Sequence, residues 1–348
     1  MLADRAAHAA AVAAAWPEDA TLSHIRALKL GRPAGWHNQG LAKQRRSAIA
    51  QTLGAEAALL GKTGVGMHTD WSRLNRGALP EVAIMGHANC GKSSLLNALS
   101  GSLTRKGPAK VSSRAGWTAE LSFYRLLPHR SRQRLRAQKA AALATEQLAE
   151  QAEEQGNDSA SMASQSAHSI RVNHGESGLV LVDTPGYGFT VGSSEQLNAW
   201  GRLIADYLDH SPRLRLTLLL VDATRGLCAA DVRVLGRLRL ARVPTLVALT
   251  KADLLDAQDL AGSHAVVAAQ LEQMATAFDA ATGSSTATSE WPPLPSIRTR
   301  PHPLILSSNF FAGVNHLWRS MLHELEHLTH ERRTVMRPPV HTPGTDHD

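Results

Sequence analysis

Beyond residue 79, short apolar runs alternate with amphipathic segments along most of the chain. The runs have the length of buried strands, and apolar residues recur at helical spacing in the segments between them. The predicted strands are 82–85, 118–126 (an edge-type strand), 179–182, 216–221, 245–249 and 304–306. The predicted helices are 196–208, 229–240, 257–281 and 312–332. This alternation predicts an α/β fold with a mostly parallel six-stranded sheet covered by helices on both faces.

The first predicted strand leads into residues 86–93, which have the sequence G-x-x-x-x-G-K-S of a phosphate-binding loop. Leucines at helical spacing follow, so strand, loop and helix occur in the required order. The two glycines let the backbone wrap closely round a polyphosphate, and the free N–H groups at the helix start point at the anion. Lys92 can reach the β- and γ-phosphates, and Ser93 can hold Mg²⁺.

Two later strands also end in motifs that suit a bound nucleotide. In D-T-P-G, Asp183 can enter the Mg²⁺ shell, and Gly186 leaves room for its N–H to approach a γ-phosphate. In T-K-A-D, the Asp253 carboxylate can accept two hydrogen bonds from guanine, and adenine lacks that pair of donors. Because the carboxyl ends of parallel strands lie at one edge of a sheet, these motifs should meet at one site.

Two further features complete the predicted guanine pocket. The stem of Lys251 can lie against the base. Ser307-Ser308-Asn309 follows the last predicted strand, where a backbone N–H could meet guanine O6. This second feature gains its meaning from its position after a strand rather than from its residues alone.

Together these motifs resemble the EngB/YsxC/YihA family of ribosome-assembly GTPases over about 79–127 and 177–330. The run D-T-P-G-Y-G-F at 183–189 is the most specific part of the resemblance. The resemblance implies a TRAFAC-class P-loop GTPase that requires Mg²⁺, hydrolyses GTP to GDP and phosphate, and helps to mature a large ribosomal subunit. By position, Thr118 resembles the switch threonine that closes on Mg²⁺ and the γ-phosphate. Asn89 matches an asparagine that binds K⁺ in related GTPases, where K⁺ can stand in for an arginine finger.

The candidate site residues fall into overlapping sets. Those expected to act in catalysis are Lys92, Thr118 and Gly186. Those expected to bind the nucleotide are Gly86, His87, Ala88, Asn89, Cys90, Gly91, Lys92, Ser93, Ser94, Asp183, Gly186, Thr250, Lys251, Asp253, Ser307 and Ser308. Those expected to hold Mg²⁺ are Ser93, Thr118 and Asp183, with Asn89 as the candidate ligand of K⁺.

Three departures from the family pattern bear on turnover. Tyr187 stands where Ras-type proteins have a water-orienting glutamine, so hydrolysis should be slow without the ribosome or K⁺. Trp117 replaces the usual lysine of the switch run, and His87-Ala88 replaces the usual Arg-Ser of the phosphate loop. These changes leave a second hypothesis open, a nucleotide-binding scaffold with little turnover that holds rRNA or ribosomal protein. A membrane-associated GTPase is a third hypothesis, with 129–145 as its candidate helix.

Charge and cysteine content narrow the setting. The formal net charge of +7 and the pI of about 9.8 favour a polyanionic partner such as RNA or an acidic membrane. The two cysteines, Cys90 and Cys228, form no disulfide framework, which predicts a reducing interior compartment. No apolar run approaches the length of about 18 residues that a membrane span needs. We therefore expect rRNA, ribosomal proteins and other assembly factors as partners of a monomer, and no membrane.

The chain divides into a GTPase domain with additions. Residues 1–78 form a basic N-terminal extension, 79–332 the GTPase domain with insertions at 129–176 and 282–303, and 333–348 a tail. Residues 20–55 contain no acid and six Lys or Arg, so the extension suits an organellar transit segment, an RNA-binding arm or a solvated tail. The glycine-rich passage within 55–80 is expected to be a loop. The extensions suggest an organellar relative. We expect a mitochondrial location, and a bacterial-type cytoplasm or another organelle is the alternative.

One competing motif lies near the end of the chain. His323, Glu324 and His327 satisfy H-E-x-x-H, which places two histidines on one helix face as in zinc proteases. A zinc protease also needs a third protein ligand and an enclosing site, and Arg333 stands where one common form has its third histidine. We expect an ordinary surface helix here.

Overall fold

The computed structural model describes residues 2–31, 39–52, 56–64, 79–103, 106–109, 120–127, 178–188, 194–281 and 302–335. The strands within these ranges are β1 (Glu56–Gly64), β2 (Glu81–Gly86), β3 (Glu120–Leu127), β4 (Leu179–Asp183), β5 (Leu214–Asp222), β6 (Thr245–Thr250) and β7 (Leu304–Ile305). The helices are α1 (Leu2–Ala14), α2 (Asp19–Ala27), α3 (Gln39–Thr52), α4 (Lys92–Leu99), α5 (Ser194–His210), α6 (Ala229–Leu240), α7 (Ala257–Ala281) and α8 (Val314–Val335). Thr118, Trp117, the insertion at 129–176 and most of that at 282–303 lie outside the described residues.

The described strands form one sheet in the order β1-β3-β4-β2-β5-β6-β7. From β4 to β7 the neighbours are parallel, whereas β3 is antiparallel to both β1 and β4. The predicted mostly parallel α/β sheet is therefore confirmed. The carboxyl ends of β2, β4, β5 and β6 share one edge, to which their following loops belong.

The sheet has seven strands in the described ranges rather than the six predicted, because Glu56–Gly64 is a strand and not a loop. It pairs with β3 from Glu56 opposite Leu127 to Gly64 opposite Glu120. An ion pair of 3.2 Å between Lys62 and Glu120 joins the two strands near that end. The glycines and lysine of β1 are weak strand formers, so β1 forms because it pairs with β3 and not because of local propensity. As a consequence β3 is not an edge strand.

Alternate residues of the strands supply the two cores on either face of the sheet. In β2, Ala83 and Met85 pack in one core, and Val82 and Ile84 pack in the other. The first core contains Tyr207 of α5, and the second contains Trp318 of α8. This alternation is the period of two that a strand covered on both faces requires.

The described part of the N-terminal extension is folded onto the α/β domain. Helices α1 and α2 pack against α7. Ile25 and Ile49 are fully buried, the former in the core that contains Tyr207 and the latter in the core that contains Trp318. None of the described helices is long and apolar enough to cross a bilayer.

Candidate functional site

The phosphate loop leaves β2 and turns into α4 through two residues with positive φ. Gly91 has a φ of 103°, where a side chain would be strained, and it is the N-cap of α4. Asn89 has a φ of 60°, which asparagine tolerates better than most residues. The buried Lys92 donates from Nζ to the carbonyls of Gly86 and His87, each at 3.0 Å. The ammonium is thus held inside the curve of the loop.

Asp183 and Ser93 supply oxygen atoms beside this loop. Ser93 Oγ donates to Asp183 Oδ2 at 3.2 Å. The other oxygen, Oδ1, is buried and has no hydrogen-bond partner in the described part of the chain. Burial raises the pKa of Asp183, although Lys92 and Ser93 partly oppose this. A buried carboxylate oxygen beside a serine hydroxyl fits the oxygen-rich shell that Mg²⁺ takes.

The loop after β4 lies directly against the phosphate loop. A Cβ added to Gly186 would lie 2.7 Å from Lys92 Nζ and 2.8 Å from Ala88 Cα, so only glycine fits there. The next residue is bonded to the same loop, since Ala88 N–H donates to the Tyr187 carbonyl at 2.9 Å. The backbone of Gly186 therefore lies directly against Lys92 and the phosphate loop.

Tyr187 points away from that site. Its hydroxyl donates to Asp231 Oδ1 at 2.6 Å, and the ring is buried. The second carboxylate oxygen of Asp231 accepts the Cys228 N–H at 2.8 Å and caps α6. The side chain that follows Gly186 is therefore buried and bonded to α6.

The side chain of His87 packs against protein rather than toward the inside of the loop. Arg225 Nη1 lies 3.1 Å from His87 Nδ1, and because a guanidinium always donates, this nitrogen accepts. Burial lowers the pKa of His87, so the ring is neutral. The carbonyl of Ala88 also lies 3.1 Å from Nδ1, but it cannot be bonded to that nitrogen while Arg225 donates to it. His87 therefore contributes to the loop through its backbone.

Thr250, the first residue of the T-K-A-D motif, is bonded to the phosphate loop. Thr250 Oγ1 donates to the Cys90 carbonyl at 2.6 Å and also lies 3.2 Å from the Val221 carbonyl. Thr250 was expected to bind the nucleotide, but its hydroxyl is engaged by protein, and it joins the end of β6 to the phosphate loop. Cys90 itself is buried and its thiol is free. The phosphate loop and the base-binding turn (residues 250–253) are thus connected by a direct hydrogen bond.

Lys251 is held in place by Asp222 at the end of the neighbouring strand. Its Nζ donates to Asp222 Oδ2 at 2.7 Å, and its φ of 57° is in the left-handed region. Thr224 donates to Oδ1 from both N–H and hydroxyl, at 3.0 and 2.8 Å. Burial alone would raise the pKa of Asp222, but Lys251 and Thr224 together hold it below its usual value. An ionised Asp222 therefore fixes the lysine stem.

Asp253 is partly exposed in the short 3₁₀ turn Ala252–Leu254. Asn309 Nδ2 lies at a long 3.5 Å from Asp253 Oδ2, so the carboxylate keeps acceptor capacity for a base. Ala252 N–H donates to the Leu306 carbonyl at 3.2 Å, which brings the loop after β7 beside this turn. The Ser307 N–H is already bound to the Ala312 carbonyl at 3.0 Å. An amide for guanine O6 would therefore have to come from Ser308 or the residue after it.

Comparison with known proteins agrees with this site. A family model described as a 50S ribosome-binding GTPase matches residues 81–251. The probable GTP-binding protein EngB of Symbiobacterium thermophilum is 34% identical over 175 residues, which cover 50% of this chain and 67% of the relative. The protein of the same name in Rhodospirillum rubrum is 33% identical over 192 residues, covering 55% and 63%. The chain belongs to the EngB family of P-loop GTPases.

The chain matches about two thirds of the length of these EngB proteins. A crystal structure of a probable GTP-binding protein EngB covers 71% of this chain and 99% of that one, at 17% identity and a TM-score of 0.38. A TM-score this low adds nothing to the assignment, which rests on the sequence relatives.

Two residues that matter for the EngB-type site carried no predicted role. Asp222 and Asp231 are an ordinary strand end and a helix-start residue in the sequence, yet they fix Lys251 and Tyr187. The signal for Asp222 was available, since it closes the strand next to the one that leads into the base-binding turn. Asp231 offered no such signal, because its partner lies 44 residues earlier in the chain.

The H-E-x-x-H motif lies in helix α8. In α8 the side chains of His323 and His327 are exposed, whereas Glu324 between them is buried. Across the described ranges no group of three or more His, Cys, Asp or Glu side chains is arranged to hold a metal ion.

Proposed function

We propose that this protein binds GTP with Mg²⁺, hydrolyses it slowly, and acts as an assembly factor for a large ribosomal subunit. The observation that carries the nucleotide part is the hydrogen bond between Thr250 and the Cys90 carbonyl. It holds the phosphate loop and the base-binding turn at one edge of the sheet, as two ends of a single nucleotide site. The ribosomal part is supported by membership of the EngB family and by the net charge of +7.

The residues of the site would divide the binding of GTP between them. Backbone N–H groups of the phosphate loop would cradle the phosphates, and Lys92 would exchange its two carbonyl partners for phosphate oxygens. Ser93 and Asp183 would hold Mg²⁺, which when bound neutralises charge on the β- and γ-phosphates. Asp253 would accept from guanine N1–H and the exocyclic amine, with the Lys251 stem along the base.

Slow turnover follows from the commitment of Tyr187 to Asp231, since no side chain at that position orients water. The Gly186 N–H would contact the γ-phosphate, and Thr118 would close over it as the family resemblance implies. We propose the ribosome, or K⁺ bound at Asn89, as the activator. Either would add to the stabilisation of the transition state that Lys92 and Gly186 would give.

We propose a mitochondrial setting, on the acid-poor basic stretch at 20–55. Helices α1 and α2 pack on α7, so a targeting signal in this region would have to stay attached after import. The protein would act as a monomer, and its partners would be rRNA, ribosomal proteins and other assembly factors.

The second candidate function is a nucleotide-controlled scaffold with little turnover. The observation that favours it is again the buried Tyr187 hydroxyl on Asp231, because it removes the usual means of water activation. Such a scaffold would hold rRNA in its GTP-bound state and release it on nucleotide exchange.

Sedimentation with large-subunit precursors, combined with hydrolysis rates, tests both candidates. With a non-hydrolysable GTP analogue, wild-type protein should co-sediment with the precursors, and the Lys92→Ala variant should remain at the top of the gradient. Hydrolysis should rise at least about tenfold with precursors or with K⁺ in place of Na⁺. Nucleotide-dependent binding without any rise in hydrolysis would favour the scaffold, and absence of binding in both nucleotide states would exclude both.

A further inference from the structure

The first helix of the extension is joined to the nucleotide site by a continuous chain of hydrogen bonds. His8 Nε2 lies 3.1 Å from Ser263 Oγ, and this hydroxyl donates to the Ala223 carbonyl at 2.8 Å. Ala223 N–H then donates to the Thr250 carbonyl at 3.0 Å, and Thr250 Oγ1 donates to the Cys90 carbonyl at 2.6 Å. We call this chain of five residues the His8 relay. It leads from α1, through α7 and the end of β5, to the base-binding turn and the phosphate loop.

The bonds of the relay run in one consistent direction when the Ser263 hydroxyl donates to the Ala223 carbonyl. Ser263 has one hydroxyl hydrogen, which goes to the Ala223 carbonyl, so its oxygen must accept from His8 Nε2–H. His8 therefore carries a proton on Nε2, and burial lowers its pKa, which favours the neutral ring. His8, Ser263, Ala223 and Thr250 are all buried. Loss of any polar member would leave an unsatisfied group away from water.

Two glycines make room for α1 at this place. A Cβ on Gly226, in the loop after β5, would lie 2.2 Å from His8 Nδ1. A Cβ on Gly262, in α7, would lie 2.9 Å from Val12 Cγ1. His8 and Val12 are one helical turn apart and thus lie on the same face of α1. The face of α1 and the surface beneath it are therefore complementary in shape as well as in hydrogen bonding.

A second contact from the extension reaches the other side of the guanine pocket. Arg45 of α3 donates to the Leu28 carbonyl at the end of α2 and to the Phe310 carbonyl at 3.5 Å. Phe310 belongs to the loop after β7, which lies beside the base-binding turn. The extension thus contacts the loop after β5, which the relay joins to the base-binding turn, and the loop after β7, which lies beside that turn.

We propose that α1 is a built-in positioning element of the guanine pocket, and that His8 is a positioning residue which sets the alignment of Asp253 through the relay. The extension would then act on the selectivity of the domain for guanine, in addition to any role in targeting or RNA binding. This inference rests on the proposed binding of GTP. It concerns alignment of the base-binding turn, not contact of His8 with the nucleotide.

The preference for GDP over IDP measures that alignment. Hypoxanthine lacks the exocyclic amine of guanine, so IDP can give Asp253 only one of the two hydrogen bonds. General loss of stability weakens both nucleotides alike and leaves their ratio unchanged. Displacement of the turn removes the advantage of the second hydrogen bond, and the ratio falls.

The experiment uses the full chain and competition of GDP and IDP against a fluorescent GDP. We expect the ratio of the two affinities to fall about threefold or more in His8→Phe and in Ser263→Ala, and to be retained in His8→Gln, whose amide N–H replaces Nε2–H. The matched control is Tyr207→Phe, which removes a buried 3.0 Å hydrogen bond to Glu81. Glu81 lies at the amino end of β2, away from the base-binding turn, so this variant should keep the wild-type ratio.

The outcomes separate this inference from the function on which it rests. A wild-type ratio in both His8→Phe and Ser263→Ala would overturn the positioning role while leaving GTP binding intact. If His8→Phe does not fold, Ser263→Ala decides alone. A wild-type protein that binds neither nucleotide, or binds both equally, would overturn the proposed guanine site and the positioning role together.

Discussion

Buried charges at the phosphate loop are balanced by neighbouring groups instead of by water. Lys92 donates to two backbone carbonyls, and Asp183 accepts from Ser93 with one oxygen while the other has no partner in the ranges described. Such an arrangement lowers the stability of the nucleotide-free protein, and a bound ligand would satisfy these buried groups. The residues that would bind Mg·GTP are therefore expected to be suboptimal for stability.

Replacing Asp183 by Asn should raise the thermal midpoint of the nucleotide-free protein. Burial raises the pKa of this carboxyl, so the fold disfavours its ionised form, and Asn removes the possibility of a charge. The same change should weaken Mg²⁺-dependent GDP binding about 10- to 100-fold. Thermal unfolding without Mg²⁺ and GDP titrations at several Mg²⁺ concentrations measure the two effects. A lower midpoint, or Mg²⁺ dependence equal to wild type, would contradict this account.

Tyr187→Phe should affect stability and not chemistry. Burial raises the pKa of Tyr187 well above its ordinary value, so the hydroxyl stays protonated and donates to Asp231. Its removal should cost about 1–3 kcal/mol of unfolding free energy. The hydrolysis rate at saturating GTP should stay within about twofold of wild type. A rate loss of tenfold or more would instead place Tyr187 in the catalytic machinery.

At the scale of elements, the strand ends hold the site together. Asp222 and Thr250 are opposite one another in the register of β5 and β6, and each is bonded into a neighbouring loop. Helix α7 adds Ser263 and His264, which bind the residues after β5 and before β7. Changes in these elements should therefore be transmitted to the nucleotide.

Thr250→Val should lower the unfolding free energy by about 1–2 kcal/mol and weaken GDP binding, because the Cys90 carbonyl loses its partner. Thr217→Val is the matched control. Thr217 lies on the adjacent strand β5 with a buried hydroxyl that has no partner within the described structure. That variant should be as stable as wild type or more so, with unchanged affinity. Equal effects of the two changes would show that the Thr250 hydroxyl has no special role.

The stability of the fold should depend on His264 in weak acid. Burial, with the stacked His302, lowers the pKa of His264 to about 4, and its Nε2–H donates to the Pro303 carbonyl at 3.1 Å. Because the unfolded chain binds this proton more readily, the contribution of His264 is complete above the ordinary histidine pKa and is lost as the pH falls toward 4. The unfolding free energy that is lost between the ordinary histidine pKa and pH about 4 amounts to about 2–4 kcal/mol.

Denaturant unfolding of wild type and His264→Gln from neutral pH to pH about 4 measures that contribution. The difference in unfolding free energy between the two proteins should narrow as the pH falls. A difference that stays constant over the whole range would mean that His264 is not the group responsible.

For the whole molecule, the sequence predicts those features that depend on order along the chain. Motifs at the ends of successive parallel strands had to meet at one edge, and helices such as Ala229–Leu240 and Ala257–Ala281 have their predicted bounds. The sequence does not predict hydrogen bonds between side chains that are far apart along the chain, such as that of His8 with Ser263, 255 residues away. It also misses β1, whose pairing with β3 overrides a weak local preference.

The central claim is that the carboxylate of Asp253 recognises guanine on a nucleotide held by the phosphate loop. The direct measurement is the affinity of wild type and Asp253→Asn for GDP and for xanthosine diphosphate. Asparagine presents an N–H that suits the C2 carbonyl of xanthine, so the variant should lose about 100-fold or more in GDP affinity and gain affinity for the xanthine nucleotide. Asp256→Asn, a change three residues on in an exposed position, should keep the wild-type preference. Unchanged GDP affinity in Asp253→Asn would contradict the account.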